Sequence, residues 1–454
     1  ALAISACCLI LLASLSYNTI GNSLTLTTRP NRENTHWLWI AAIALSVAGA
    51  FLVCVSDSTI TALAIVATTL LVGALQVLAG APLILSCLPA IVPANWPVAL
   101  WCVHSARALT SRTRLAMGAF FLALAANIGM NVMTDSFRHA TYSWLDTRLD
   151  ADAYIYSDAP LPPLPGVAVQ NTGYRTQGEL SSQPVTLRAH YAQSNSHAKL
   201  RADNALPDAK ALFLAGNGFY INQQLAFRQT LSAGDPIRFT DTSGALFTGI
   251  VAGIIPDYGN SQSQILVLPE AIASPANFAG VTSVYGVSES ADLLASRLPA
   301  SARLFEKPAL MALSMRTFDK TFVVTNALNV ATLLVAGVSF MLSVSLVALD
   351  VAPQLSVLRA MGVSSVKIRV AMGCQYTGLC LVTAFFAVPF GLLLAWIFIN
   401  QVNRFAFDWV YPLVVNMPVI GTSVLISLAI VLCFLLLPLA RIDAKVNLYQ
   451  EQRL

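Results

Sequence analysis

Long apolar runs alternate with one polar stretch along this chain. Residues 134–322 are polar and charged, whereas the segments on both sides consist of consecutive apolar runs. Each run approaches the roughly 20 residues that an α-helix needs to cross a bilayer. The pattern therefore predicts an integral membrane protein that holds one folded domain on a single side of the membrane.

Seven transmembrane helices are predicted from the apolar runs. They cover residues 1–17, 37–55, 59–81, 115–133, 323–349, 371–400 and 412–440. The third run continues as far as Val92, but Pro82, Pro89 and Pro93 are expected to bend or end the helix. We therefore assign two helices to residues 37–93 as a whole.

The basic residues predict the orientation of the helices. Outside residues 134–322 the chain has 12 Lys and Arg but only 6 Asp and Glu. Nearly all of the basic residues fall in alternate connections, which are expected to be cytoplasmic. These segments are residues 18–36, 94–114, 350–370 and the tail 441–454. The polar domain and residue 1 are then predicted to lie outside, and only Arg404 departs from the rule.

Short strand patterns run through the polar domain. They are predicted at residues 166–169, 184–191, 235–239, 246–251 and 264–268, with turn residues between them. A helical pattern appears at residues 291–298, and the Pro-rich residues 160–165 are expected to form an extended connector. The combination predicts an α+β domain.

Composition and motifs exclude several classes of function. Hydrophobic residues make up 56% of the chain and charged residues only 11%, against roughly 25% charged in soluble proteins. The net charge of +4 is small, so nucleic acid is not an expected partner. We find no phosphate-binding loop, no metalloprotease or hydrolase motif and no zinc or disulfide pattern, so neither catalysis nor a cofactor or metal is predicted. The apolar runs contain almost no ionisable residues, which disfavours an ion-coupled carrier.

A short polar segment, residues 350–369, follows the first apolar run beyond the domain. Pro353 is expected to start a short helix, Gly362 to end it, and Ser364–Ser365 to begin the next helix. One face of the short helix is predicted to carry Leu355, Leu358 and Met361. Such a helix at the membrane surface transmits force when a partner binds it, but an ordinary interfacial loop explains the pattern equally well.

The same segment carries a family resemblance. Residues 355–362, followed by Ser364, Lys367, Ile368 and Arg369, resemble the coupling-helix motif of the FtsX/MacB-like permeases of ABC transporters. Further similarities to this family occur at residues 127–138, 144–154, 217–235, 249–253 and 318–328. The order of these matches along the chain is more specific than any single match.

The resemblance implies a particular layout. The family unit is one span, an exterior domain and three further spans, and residues 115–440 supply that order. Residues 1–17 then correspond to the last span of a preceding repeat, so the chain resembles the carboxyl-terminal part of a ten-span, two-repeat member. A trimmed signal peptide before Ala1 is the alternative. The implied fold is an α-helical polytopic membrane protein with one α+β, MacB-like extracytoplasmic domain.

The resemblance also implies a function and the residues that perform it. The chain would be the permease subunit of a bacterial inner-membrane ABC transporter, and a separate cytoplasmic ATPase would drive movement of its periplasmic domain. Contact with the ATPase is implied for Leu355, Leu358, Arg359, Met361, Gly362 and Lys367. Transmission between helices and domain is implied for Asp135, Arg138, Arg316, Asp319 and Lys320. These charges are equally typical of a membrane interface.

Two departures and two alternatives accompany this resemblance. Val351–Gln354 and Gln375 stand where family members often have charged residues, which bears on the strength of coupling.

Other implied partners are the lipid bilayer, a second permease or the missing first repeat, and a periplasmic protein. A regulator of a periplasmic hydrolase is one alternative, and an exposed apolar patch on the domain would favour it. A membrane enzyme is the other, but no residue spacing predicts its site.

Overall fold

The computed structural model describes residues 34–87, 110, 113–191, 204–288 and 290–451. The predicted helix at residues 1–17 lies outside these residues. The chain divides into two compact units. The helical unit comprises residues 1–135, 323–402 and 413–454, and the sheet unit comprises residues 136–322 together with 403–412.

Long helices dominate the helical unit. They are α1 (Asn34–Val55), α2 (Thr59–Cys87), α3 (Arg114–Arg148), α8 (Lys307–Ala360), α9 (Ser365–Ile397) and α11 (Met417–Glu451). Among the described residues, six helical segments are long and apolar enough to cross a membrane. Helices α3 and α8 also supply residues 136–148 and 307–322 to the sheet unit. The predicted fold class, a polytopic membrane protein with one α+β domain, is confirmed.

Proline residues lie inside several of these helices. Helix α2 continues through Pro82 to Cys87, and α8 passes through Pro353 to Ala360. The expectation that Pro353 begins a separate short helix was therefore wrong, and Pro82 does not end α2. Proline costs one backbone hydrogen bond, but within long apolar helices neighbouring groups satisfy the freed carbonyl. Pro89 and Pro93 lie outside the described residues.

The core of the helical unit is built on α3. Its fully buried face contains Met117, Phe120, Phe121, Leu124 and Ile128. From α8 this core receives Phe340 and Val344, and from α9 it receives Tyr376 and Leu379. Phe120 packs edge-on against Phe340, and Phe340 packs edge-on against Tyr376, with ring centroids 6.4 Å apart in both pairs. One continuous apolar core thus joins α3, α8 and α9.

Helices α3 and α9 approach each other closely at a pair of glycines. A Cβ atom added to Gly391 would lie 2.6 Å from Ile128 Cγ2 and 3.1 Å from the carbonyl oxygen of Ala125. A Cβ atom added to Gly129 would lie 3.0 Å from Leu394 Cβ. Small residues permit this close approach, which gives dispersion contacts where lipid leaves little hydrophobic driving force between helices.

The sheet unit is a ten-stranded mixed sheet. Its strands are β1 (Ala153–Tyr156), β2 (Val167–Leu180), β3 (Gln183–Ala189), β4 (Asn204–Ala205), β5 (Gly218–Asn222), β6 (Pro236–Asp241), β7 (Leu246–Ile255), β8 (Gln264–Val267), β9 (Phe278–Val287) and β10 (Arg303–Glu306). They lie in the order β10-β1-β9-β2-β3-β8-β5-β7-β4, and β6 pairs with β2 and β7. Most pairs are antiparallel, but β3 with β8 and β5 with β7 are parallel.

Short helices accompany the strands. They are α4 (Ala209–Leu214), α5 (Gln223–Gln229), α6 (Pro269–Ile272), α7 (Ala291–Ser296) and α10 (Asn403–Phe407), the last following a π-helical turn at Phe398–Val402. The main apolar core of the unit includes Leu187, Ile221, Phe239 and Val251. Phe239 packs against both Phe219 and Phe247, with ring centroids 4.9 and 5.0 Å apart. The five predicted strands correspond to β2, β3, β6, β7 and β8, and the predicted helix to α7.

We predict that Gly391→Ala destabilises the protein, whereas Gly378→Ala on the same helix does not. The added methyl group at Gly391 meets Ile128 and a backbone carbonyl, so overpacking should lower the free energy of unfolding by about 1–3 kcal/mol. Gly378 has no atom within 4 Å of an added Cβ, and alanine there gains about 0.5–1 kcal/mol of helix propensity. Thermal unfolding in detergent measures both, and equal midpoints would contradict the close packing of α3 and α9.

Candidate functional site

The predicted coupling segment forms a tight turn between α8 and α9. The Met361 N–H donates to the carbonyl oxygen of Val357 (3.0 Å), and the Gly362 N–H donates to that of Arg359 (2.9 Å). Gly362 has φ +92°, a conformation that non-glycine residues rarely adopt. Helix α9 then begins after Ser364, which has extended backbone. Gly362 and Ser364 therefore end and begin helices where the sequence indicated.

The apolar residues of this turn point to different environments. Leu355 is 1% exposed and belongs to the helical core together with Ile368 and Met372. Met361 is 68% exposed. Two residues that sequence reasoning did not select, Val357 and Val366, are also exposed. The side chain of Leu358 lies outside the described part of the structure.

The predicted common face of Leu355 and Met361 is therefore not observed. Met361 follows the last residue of α8, so the helical spacing on which that prediction depended ends at Ala360. Leu355 packs inward, and the exposed apolar surface of the turn is formed by Val357, Met361 and Val366, which we call the turn surface. The sequence pattern alone did not distinguish these exposed apolar residues, which lie on both sides of Gly362, from the residues of the core.

Basic residues accompany the turn surface. Arg359 Nη2 donates to Ser365 Oγ at 2.5 Å, which ties the end of α8 to the first residue of α9. Lys367 is exposed. The described part of the turn, residues 355–367, has two basic residues and no acidic one. An exposed surface with apolar and positively charged side chains suits an acidic, partly apolar protein partner.

The structure brings two of the five predicted transmission residues together. Arg138 on α3 donates from Nη2 to both carboxylate oxygens of Asp319 on α8, at 2.6 and 2.7 Å. Both side chains are about half exposed. Arg316 and Lys320 are exposed and form no ion pair or hydrogen bond among the described residues. In the helical unit, the carboxylate of Asp135 accepts a hydrogen bond from Asn416 Nδ2 at 3.3 Å.

An aromatic cluster lies beside this ion pair within the sheet unit. Phe137 on α3 packs against Phe318 and Phe322 on α8, with centroids 5.6 and 5.8 Å apart. It also packs against Trp409 and Tyr411, at 5.5 and 5.4 Å. Phe318 and Phe322 are four residues apart and so share one helix face. That spacing was the available signal for the cluster, which sequence reasoning did not select.

Three helices of the helical unit share a polar network. Asn131 Nδ2 on α3 donates to Asn127 Oδ1 and to Ser423 Oγ of α11, both at 2.9 Å. Asn131 Oδ1 accepts from Asn329 Nδ2 of α8 at 3.4 Å. Polar side chains within apolar spans hydrogen-bond across helices and hold them in register. Asn131 therefore joins α3, α8 and α11 at one level.

A buried ion pair ties the end of α3 to the sheet unit. Arg148 Nη1 donates to Asp257 Oδ1 at 2.5 Å, and Asp257 is 1% exposed. Asn260 Nδ2 donates to the other oxygen of this carboxylate at 2.6 Å. The guanidinium of Arg148 also lies 5.0 Å from the ring centroid of Trp144. The Arg148 charge repels Arg188 on β3 and, together with burial, lowers the pKa of Arg188 to about 9.

A cavity of about 450 Å³ lies where α3 leads into β1 and β10 leads into α8. Its charged lining residues are Asp150, Asp152, Glu306 and Lys307. The Asp152 carboxylate accepts from the N–H groups of Gly286 (2.7 Å) and Val287 (3.3 Å), and Lys307 Nζ pairs with Asp146 Oδ1 at 2.6 Å. The contacts of Asp152 fasten the connection between α3 and β1 to β9, and the Lys307 pair joins the start of α8 to α3. Within the described ranges, no group of three or more His, Cys, Asp or Glu residues could hold a metal ion.

We predict that Arg148→Met destabilises the sheet unit far more than Arg138→Met. Loss of Arg148 removes the ion-pair partner of the buried Asp257 carboxylate, which should cost about 3 kcal/mol. Loss of Arg138 affects an exposed pair and should cost less than about 1 kcal/mol. Hydrogen exchange of strands β5 to β8 in the purified full chain measures the difference. Equal protection in the two variants would contradict the larger contribution to stability that we expect from the buried pair.

Comparison with known proteins gives two findings. Residues 326–444 match the family model of the FtsX-like permease C-terminal region. These residues contain most of α8, the Gly362 turn, α9 and the first part of α11. The chain is also 25% identical, over 337 residues, to a protein of Mycobacterium tuberculosis (strain ATCC 25618 / H37Rv) described as an uncharacterized ABC transporter permease protein.

The second match covers 66% of this chain but only 38% of the relative, so the chain spans well under half of that protein's length. The family match falls on the part of the chain that contains the Gly362 turn. Together they confirm the resemblance to FtsX/MacB-like permeases that the sequence predicted. Residues 326–444 are thus similar to the FtsX-like permease carboxyl-terminal region, in a chain that is similar to a protein described as an ABC transporter permease.

Proposed function

We propose that this chain is the membrane-spanning subunit of an ABC transporter and that the turn surface binds a separate cytoplasmic ATPase. The observation that carries this proposal is the exposed apolar and basic turn at Gly362. The turn lies within the segment that matches the FtsX-like permease family. Val357, Met361 and Val366 are each 58–68% exposed there. ATP hydrolysis then belongs to the partner, and this chain acts by movement rather than by chemistry.

The orientation follows from the distribution of charge. Arg359 and Lys367 support a cytoplasmic location of the turn surface by the positive-inside rule. One membrane crossing separates this turn from the sheet unit along α8, so the sheet unit is extracytoplasmic. In a bacterium this is the periplasmic or outer side of the inner membrane. The polar character of residues 134–322 agrees with a domain that lies in water.

Movement passes from the turn to the sheet unit through uninterrupted helices. Helix α8 runs from Lys307 to Ala360 without a break, so displacement of its cytoplasmic end affects its other end. The Leu355 side chain anchors this end in the helical core, whereas Met361 remains free for a partner. Arg138, Asp319 and the aromatic cluster then join α3 and α8 within the sheet unit, so that the two helices act together on the domain.

The cargo is proposed from the architecture. The apolar runs at residues 115–133, 323–349, 371–400 and 412–440 contain no charged side chain, which suits a protein that acts on a substrate outside the membrane or in its outer leaflet. Lipid, lipoprotein or peptide cargo, extracted or exported by movement of the sheet unit, agrees with this arrangement. A second permease, or the preceding repeat of a longer chain, would complete the membrane part of the transporter.

The alternative of a non-transporting regulator depends on a docking patch for a periplasmic hydrolase. The exposed large apolar side chains of the described strands and short helices are Tyr156, Val169, Leu214, Leu246, Leu293 and Phe407. They lie on six different elements of the sheet unit, β1, β2, α4, β7, α7 and α10. This distribution does not favour the regulator over the transporter.

We predict that Met361→Asp and Val366→Asp reduce stimulation of the ATPase by at least about tenfold, because each places a charge in an apolar contact worth more than about 1.4 kcal/mol. The double change Leu358→Asp and Met361→Asp should abolish stimulation of the ATPase. Met361→Leu keeps the apolar contact and is the matched control. Copurification of the ATPase with the full chain, and its hydrolysis rate in nanodiscs, measure the effect.

Correct insertion of the variants is checked by their yield and by their gel-filtration profile. Full stimulation by the Asp variants would remove the turn surface as the site of coupling. Absence of any copurifying ATPase under mild conditions would reject the ABC permease function itself.

A further inference from the structure

The segment that joins α9 to α11 belongs to the sheet unit. Residues 403–412 cluster with residues 136–322 rather than with the helices that they connect. The sheet unit is thus attached to the rest of the chain at three places along the sequence: through α3, through α8 and through this segment. In the predicted orientation, Arg404 of this segment is a basic residue on the extracytoplasmic side, where few are expected.

Polar contacts fasten this segment to α5 of the sheet unit. Arg228 Nε donates to Asp408 Oδ2 at 2.8 Å, and the side chains are 37% and 29% exposed. The Val410 N–H donates to Gln223 Oε1 at 3.2 Å. The guanidinium of Arg404 lies 5.2 Å from the ring centroid of Phe227. The two ends of α5, at Gln223 and Arg228, therefore both hold residues of the segment.

Aromatic residues fasten the same segment on its other side. Trp409 packs against Phe137 and Tyr258, with centroids 5.5 Å apart in both pairs. Tyr411 packs against the same two residues at 5.4 and 6.3 Å. Burial raises the pKa of the Tyr411 hydroxyl above its usual range. The segment is therefore bound both to α5 and to the aromatic cluster of α3 and α8.

The backbone of Asp408 supports a dedicated role for its carboxylate. Asp408 has φ +58° and ends α10, with its N–H donating to the carbonyl oxygen of Arg404 at 3.1 Å. Glycine or asparagine is usual at such a left-handed helix end. Aspartate is tolerated there, and it adds the charge that binds Arg228. The choice of aspartate is explained by the ion pair rather than by the turn.

The helix before this segment contains a second irregularity. A π-helical turn at Phe398–Val402 follows α9 and leads directly into α10. Such turns insert an extra residue into an α-helix and occur frequently at functional sites. Because α9 begins at the Gly362 turn, one continuous path runs along the chain from the turn surface through α9 and the π turn to Asp408.

We infer that residues 403–412 are a clamp through which α9 and α11 move the sheet unit, with Arg228 and Asp408 as its positioning residues. This inference rests on the proposed function, which it deepens by adding a third route of transmission to α3 and α8. The clamp acts on α5, whereas α3 and α8 act on the sheet through β1 and β10. Movement of α9 and movement of α8 thus reach different parts of the same domain.

The first test uses the full chain without an ATPase. Asp408→Asn keeps a residue that tolerates the left-handed backbone but removes the charge, so the variant is expected to fold. Hydrogen exchange of α5 and of residues 403–412 should rise by at least about twofold. Asp292→Asn makes the same chemical change at an exposed position in α7 and is the control. Exchange that is unchanged in Asp408→Asn would overturn the clamp.

The second test uses the complex with its ATPase in nanodiscs, with and without a non-hydrolysable ATP analogue. We expect the nucleotide to change exchange at residues 357–366 and at α5. In Asp408→Asn and Arg228→Gln the response at α5 should fall by at least about twofold, whereas the response at residues 357–366 should persist. Arg228→Lys, which keeps the charge, should retain most of the response at α5.

The outcomes separate the inference from the proposed function. A response at residues 357–366 with an undiminished response at α5 in both charge-removing variants would overturn the transmission role of the clamp and leave the proposed function intact. A complex in which residues 357–366 do not respond to nucleotide would overturn the proposed coupling and, with it, this role. Loss of the α5 response alone in the variants would support both.

Discussion

The need to satisfy every backbone hydrogen bond within lipid governs the arrangement of this protein. In an apolar medium only continuous helices satisfy these groups from within their own segment. Six apolar helical segments of the described chain meet that condition, and they do so even where proline removes a donor, as at Pro389 and Pro438. Helices α3 and α8 keep the same regular backbone as far as Arg148 and back to Lys307. Long regular helices therefore transmit displacement from one end to the other wherever their ends are held.

The helix ends are held by polar and aromatic contacts of different strengths. Arg148 binds a carboxylate that is almost completely buried, so this attachment is costly to break. Arg138 and Asp319 are about half exposed, and such a pair contributes little to stability. Arg148 therefore fixes the end of α3 firmly, whereas α3 and α8 are joined within the sheet unit mainly by the packing of Phe137 against Phe318 and Phe322. That combination suits a domain that moves as one body.

The sequence predicted the elements better than their partners. Strands β3, β6 and β8 carry turn residues at their ends and were located to within a few residues. Strand β5 was not, because all five of its residues are buried and therefore show no alternation. Strand β9 was hidden by Gly280 and Gly286, both with positive φ. Arg148 and Asp257 are 109 residues apart, and no local pattern indicates that they meet.

The Gly362 turn shows why a motif predicted from sequence needs its structure. Leu355 and Met361 belong to one short sequence motif, yet one is buried in the helical core and the other is exposed. In the proposed function, a partner that presses on Met361, Val357 and Val366 acts on a turn whose Leu355 is buried in the same apolar core as Ile368 and Met372 of α9. The force is then shared between α8 and α9 instead of bending the turn. Gly362 makes this possible because its positive φ lets α8 end within the same turn in which α9 begins.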